Sequence, residues 1–167
     1  LYLVGDEDRL KSGVDAIGIP PSRVEIVHAP EVVEMTDPAT AALKKKKNSS
    51  ITKAVDLVKS GDCQAVVSAG HTGAAVAAST VRLRRLPGVE RAGIASPMPN
   101  EHGVCNLVDA GANPEAKPYH LLQYAVMGSV YARYVFGKEN PIVGLMSVGD
   151  EDEKGTDFTK EVFAMLK

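Results

Sequence analysis

Short apolar runs alternate with helical stretches along the whole chain, and most of the runs are closed by glycine or a small polar residue. Leu1–Val4 ends at Gly5. Asp8 to Ile17 follows with helical spacing (Leu10, Val14, Ile17), acidic residues at its start, and Gly18 and Pro20–Pro21 as its stop. Val24–His28 is a second strand-like run, and Glu31 to Ala39 is loop-like, with Pro30 and Pro38 as breakers. Ile51 to Lys59 places Ile51, Ala54, Val55 and Val58 on one face, with Ser49 or Ser50 as cap and Gly61 as stop. The pattern predicts further strands over Gln64–Ser68, Ala92–Ser96, Val104–Ala110 and Ile142–Val148, the middle two separated by a polar loop, MPNEHG. It predicts further helices over Thr72–Arg84, from Pro118 to a stop at Gly137, and from Thr156 to Lys167. In the long helix, Leu122, Val126, Val130 and Tyr134 recur at i+4 steps as its apolar face. Such alternation specifies an α/β fold, a mostly parallel sheet covered by helices on both faces.

No linker of disordered composition divides the chain, so residues 1–167 are expected to form one domain. Both ends look cut: Leu1 stands inside an apolar run, without an initiator Met, and Lys167 stands inside a helical pattern. A net charge of -2 gives no global attraction to nucleic acid or an anionic membrane. No apolar run approaches the roughly 20 residues needed to span a bilayer, and no basic segment precedes the first apolar run. Cys63 and Cys105 form no CxxC and are read as two small buried hydrophobes; no metal site is expected.

In open α/β sheets, ligands bind beyond the carboxyl ends of the strands. Three such exits are rich in glycine and polar groups: SAGHTGA after Val67, DAGAN after Val108 and GDEDEKG after Val148. At the first, Gly70 and Gly73 let the backbone approach a ligand, and the following helix presents unpaired N–H groups and partial positive charge suited to phosphate. Ser68 and Thr72 add hydroxyls, and His71 adds a donor or a charge. The turn has neither a Walker A ending nor a GxGxxG fingerprint, and a tight strand-to-helix turn is the competing explanation. A second candidate is Lys44–Lys47 running into Asn48, Ser49 and Ser50, where one lysine could swing over an anion held at the helix start; a nucleic-acid patch is the weaker reading. Asp109, Asn113 and Lys117 form a third cluster. There a carboxylate at a strand end needs hydrogen bonds, met by loop N–H groups around Gly111 or by an orienting role toward substrate. Glu151, Lys154 and Gly155 form the fourth; the charges of Asp150–Lys154 are read as solvent-facing helix-cap groups, with Lys154 as the ligand contact.

Seven ordered stretches together resemble one family: LVGDED (3–8), IVHAPEVVEM (26–35), KKKKNSSITKAVDLVKSG (44–61), AVVSAGHTGA (65–74), LVDAGAN (107–113), KPYHLLQYAVMGSVYA (117–132) and NPIVGLMSVGDEDEKG (140–155). The chain is similar to the bacterial phosphate acyltransferases that make acyl phosphate from acyl-acyl carrier protein. The resemblance implies a three-layer αβα sandwich related to the isocitrate/isopropylmalate dehydrogenase and phosphotransacetylase folds. It implies attack of inorganic phosphate on an acyl thioester, with no cofactor, acyl carrier protein as partner, a homodimer, and a cytoplasmic setting with peripheral membrane contact through segments absent here. Carried onto this sequence, it assigns Ser68, Thr72 and Lys46 or Lys47 to phosphate, with Ser49, Ser50, Gly70, His71 and Gly73 around it. Asp109, Asn113, Lys117 and Lys154 shape the rim, and N–H groups near Gly70, Gly111 or Gly149 serve the carbonyl oxygen. His71 departs from the family's usual Asn, adding bulk and titration near neutral pH. A phosphotransacetylase-like enzyme using acyl-CoA, a dehydrogenase of the related fold, a non-catalytic anion-binding domain and a membrane scaffold are the competing readings.

Overall fold

A computed structural model describes residues 1–149, 151 and 154–167. The chain is α/β and divides into two compact units, Leu1–Leu86 and Pro87–Lys167. In the first, β1 (Tyr2–Gly5) and β2 (Glu25–His28) pair in parallel, Tyr2 opposite Glu25 through Gly5 opposite His28, with α1 (Glu7–Ile17) crossing between them. Asp6 caps α1 by accepting from Arg9 N–H, and Gly18 ends it at φ 72°, a left-handed conformation that glycine adopts without strain. A short helix not expected from sequence, α2 (Ala39–Lys45), precedes α3 (Ser50–Ser60) and α4 (Thr72–Arg82). α3 packs on β1 and α4, and α2 on α4. Ala74 and Ala78 are fully buried on α4, small enough to bring helix backbones close, and Val33, Ala39 and Ile51 pack around Ala74. Ser49 is the cap of α3: wholly buried, it accepts from Thr52 N–H, while its hydroxyl meets that of Thr52 at 2.9 Å.

The second unit is built on a hairpin. β3 (Ala95–Asn100) and β4 (Gly103–Val108) are antiparallel, Ala95 opposite Val108 through Asn100 opposite Gly103. The polar loop expected between them is shorter than MPNEHG, because Met98–Asn100 belongs to β3. Pro97 and Pro99 have no N–H, so they occupy positions of β3 that do not donate to β4. α5 (Pro118–Phe136) lies on β4, and α6 (Asp157–Leu166) packs on α5.

Five expectations are corrected. Among the described residues the sheets are one parallel and one antiparallel pair rather than a mostly parallel sheet. Gln64–Ser68 and Ile142–Val148 are irregular, with Val67 96 % and Ile142 98 % exposed: an apolar run becomes a strand only when another strand pairs with it, and among the described residues none does. The strand expected over Ala92–Ser96 begins only at Ala95. On α5 the periodicity is right and the face is wrong. His120, Tyr124 and Ala132 are buried at i+4 steps with Gly128 in register, while Val126, Val130 and Tyr134 are exposed. Small residues decide this: a Cβ on Gly128 would stand 3.0 Å from Val108 Cγ2, so this face is the one that can come against the strand. The buried-cysteine expectation fails for Cys105, which is exposed, and Cys63 is half-buried. Cys105 alternates with Val108 and Asn106, which both face Gly128 of α5. The reading of Asp150, Asp152 and Glu153 as cap groups lies outside the described residues.

Asn106 carries a stability prediction. Its side-chain nitrogen and oxygen are both buried with no hydrogen-bond partner among the described residues, and such groups cost about 1–3 kcal/mol. Asn106→Leu, similar in volume, is expected to raise the urea midpoint and stabilise the unit by about 1–2 kcal/mol. Among the described residues, no helix is long and apolar enough to cross a membrane.

Candidate functional site

In the first unit the loop between β2 and α2 organises the residues singled out by sequence. Glu31 pairs with Ser49 through the backbone, accepts from Ser50 N–H through its carbonyl, and takes Asn48 N–H on its carboxylate at 2.6 Å. An acidic side chain of the chain itself thus meets the approach to α3, where the sequence suggested an anion. Of the four lysines, Lys46 alone is half-buried, and it is engaged: Nζ donates to Val32 O at 2.7 Å and to Asp37 Oδ2 at 2.6 Å. Lys47 is exposed. The Asp37 carboxyl is held below its ordinary value, first by the Lys46 hydrogen bond and next by Glu34 N–H. Its contribution to stability is therefore present above the unfolded aspartate value of about 3.9 and is lost as pH falls through the folded value. Asp37→Asn is expected to flatten the acid limb of an unfolding curve recorded against pH below about 4.

The turn Ser68–Gly73 enters α4 as a self-capped helix start. Gly70 N–H donates to Ser68 Oγ at 3.3 Å. His71 is the cap residue: Ala74 N–H donates to Nδ1 at 3.2 Å, and Nε2 meets Asp37 O at 3.0 Å. Both ring nitrogens are thus used within the chain. Ser68, Thr72 and Gly73 are exposed, and among the described residues the N–H groups of Thr72 and Gly73 have no acceptor. Lys46, His71 and the α4 start are brought together through Asp37, a residue the sequence reading missed; its only signal is its place before Pro38.

In the second unit, Asp109 takes a left-handed φ of 60° at the end of β4. Its carboxylate does not bind the loop backbone, as expected, but accepts from Asn113 Nδ2 at 3.0 Å; Gly111 N–H goes to the Asp109 carbonyl at 2.7 Å. Asn113 also donates to Ala92 O, which accepts from the Tyr124 hydroxyl as well. His120 is buried, accepts from Lys117 N–H and faces Glu90 at 3.2 Å; Gln123 bonds Glu90 N–H and Gly88 O. Tyr124, His120 and Gln123 were not singled out by sequence, although their i, i+3 and i+4 spacing places them on one side of α5. Lys117 is exposed. Gly149 and Lys154 line a cavity of about 330 Å³ with Val143, Leu145, Thr159 and Phe163. Among the described residues no His, Cys, Asp and Glu cluster is placed to hold a metal ion.

The whole chain, residues 1–167, matches the family described as fatty acid synthesis protein, and it belongs to that family. It is 63% identical over 167 residues to a phosphate acyltransferase of Akkermansia muciniphila. It is 48% identical over 170 residues to a phosphate acyltransferase of Pelotomaculum thermopropionicum, and 47% over 167 residues to one of Geobacter sulfurreducens. Each alignment covers all of this chain and 48% of the relative, so the chain spans about half the length of the curated relatives it matches.

Proposed function

We propose that the chain is part of an enzyme that transfers a fatty acyl group from acyl-acyl carrier protein to inorganic phosphate, giving acyl phosphate for phospholipid synthesis. The observation that carries this is the 63% identity, over the full chain, to a protein named phosphate acyltransferase. The α4 start supports a phosphate role: exposed hydroxyls of Ser68 and Thr72 stand with the unpaired N–H groups of Thr72 and Gly73 at the positive end of an 11-residue helix. Lys47, exposed like Lys44 and Lys45, is the proposed cation for the same anion, since Lys46 is engaged by Asp37. A phosphate oxygen attacks the thioester carbonyl, the carbon–sulfur bond breaks, and the carrier thiolate leaves and takes up a proton. Phosphate held by hydroxyls and N–H groups needs no covalent enzyme intermediate and no cofactor, only orientation. Asp109, Asn113, Lys117 and Lys154 are the proposed substrate-orienting groups of the second unit. Acyl carrier protein, a second copy of the enzyme and a peripheral membrane surface are its proposed partners.

The same reading includes a three-layer αβα sandwich. The parallel β1–β2 pair with its crossover helix supports it. So does the alternation over 142–148, where Val143, Leu145 and Ser147 line the cavity beside α6 and Leu145 is half-buried, while Ile142, Met146 and Val148 are 79 % or more exposed against 47 % for Val143.

The test uses the full-length enzyme with acyl-acyl carrier protein and labelled phosphate, and reads hydroxylamine-sensitive acyl phosphate. A folded Ser68→Ala/Thr72→Ala variant is expected to lose about 100-fold in kcat/KM for phosphate, the scale of two lost hydrogen bonds to a charged group. Undiminished product would move the phosphate site elsewhere. Preference for acyl-CoA would favour a phosphotransacetylase-like enzyme, and binding without product a non-catalytic domain.

A further inference from the structure

The partners of His71 fix its protonation in this arrangement. Ala74 N–H can only donate, so Nδ1 carries a lone pair; the Asp37 carbonyl can only accept, so Nε2 carries the proton. The ring is therefore neutral while it caps α4. A second proton, on Nδ1, would stand donor against donor with Ala74 N–H, and would add positive charge at the positive end of the helix. Among the described residues, Asp37 in the loop acts on the ring as a charge, and Lys46, just beyond α2, holds the Asp37 carboxylate. α2 presents Ala39 and α4 presents Gly73 and Ala74, none of which titrates. The Asp37 carboxylate belongs to the residue whose carbonyl the ring meets at 3.0 Å, so the two charges can act on each other. One residue thus offers the ring two different oxygens, a carbonyl that suits the neutral form and a carboxylate that suits the cation.

We infer that His71 is a proton-operated latch between the α4 start and the loop that carries Asp37. Neutral, the ring caps α4 and ties the loop to it. Protonated, it leaves Ala74 and pairs with the Asp37 carboxylate, so the first turn of α4 opens and the turn at Ser68–Gly73 is freed. Lys46 keeps its hold on Val32 O throughout, so the loop stays anchored at one point while the other releases.

Amide exchange and histidine nitrogen shifts on the folded chain test the latch. As the solution is acidified below neutral pH, protection of the Ala74 amide, corrected for intrinsic exchange, is expected to fall about tenfold. Val55 in α3 keeps its protection, and Nδ1 of His71 passes from lone-pair to protonated shift over the same acidification. His71→Asn retains a capping side chain with nothing to titrate, and its Ala74 protection stays level. Level protection in the parent chain, or an equal fall in His71→Asn, overturns the latch. So does a parallel loss at Val55, which would make the event general unfolding.

Discussion

Tyr124→Ala is expected to destabilise the second unit by about 3–5 kcal/mol, as a lower urea midpoint and loss of the native near-ultraviolet signal. The ring is 3% exposed on the buried face of α5. A Cβ on Gly93 would come within 3.0 Å of its Cδ1 and Cε1, so the segment leading into β3 lies directly on the ring. Truncation would leave a cavity under Gly93, which has no side chain to fill it. Tyr124→Phe should cost about 1 kcal/mol, because it removes only the hydrogen bond to Ala92 O. The phenol also gives a pH signature. Burial first, and the Asp109 charge second, raise it above its ordinary value. The unfolded chain then loses this proton near pH 10 while the folded chain keeps it. The stabilising contribution is complete below that pH and disappears as pH rises through the folded value. Tyr124→Phe removes this alkaline slope, which separates the ring's packing from its hydroxyl.

Gly155→Ala should be comparably damaging at a place where nothing large is buried. Gly155 has φ 105°, which side-chain-bearing residues rarely adopt, and an added Cβ would strike Thr159 Oγ1 and stand 2.7 Å from Ser147 Oγ. Backbone strain and overpacking each contribute about 1–3 kcal/mol, for a combined loss of about 2–6 kcal/mol. The damage should concentrate at the start of α6, where Thr156 accepts from Thr159 N–H. Amide exchange at Thr159 and Lys160 is the sensitive measurement. Unchanged protection there, with unchanged global stability, would show that the turn can relax around the new methyl.

The features legible in the sequence are those decided within a few residues. Ser49 caps α3, and Gly18, Gly61 and Gly137 end helices in left-handed conformations, because a side-chain oxygen or a missing Cβ acts on its own turn. What was not legible depends on distant partners. The runs at 64–68 and 142–148 have strand composition, but pairing makes the strand. The apolar stripe of α5 announced a buried face, yet closeness of approach at Gly128 outweighed hydrophobicity at Val126 and Val130. Four consecutive lysines look alike until Asp37 and Val32 select Lys46. The turn at Ser68–Gly73 was found by its glycines, while the use of both His71 nitrogens was hidden, since one partner lies 34 residues away.

The prolines of β3 have a consequence for how the second unit can be extended. Because their residues do not donate to β4, their backbone nitrogens fall on the outer border of the hairpin, where they have no hydrogen to offer. A newcomer strand on that border would find acceptors without the matching donors at two successive rungs. The opposite border, along β4, keeps its alternating donors and acceptors. The hairpin is therefore a one-sided template: it accepts company beside Val104–Val108 and refuses it beside Pro97–Pro99, so its sheet can widen in only one direction.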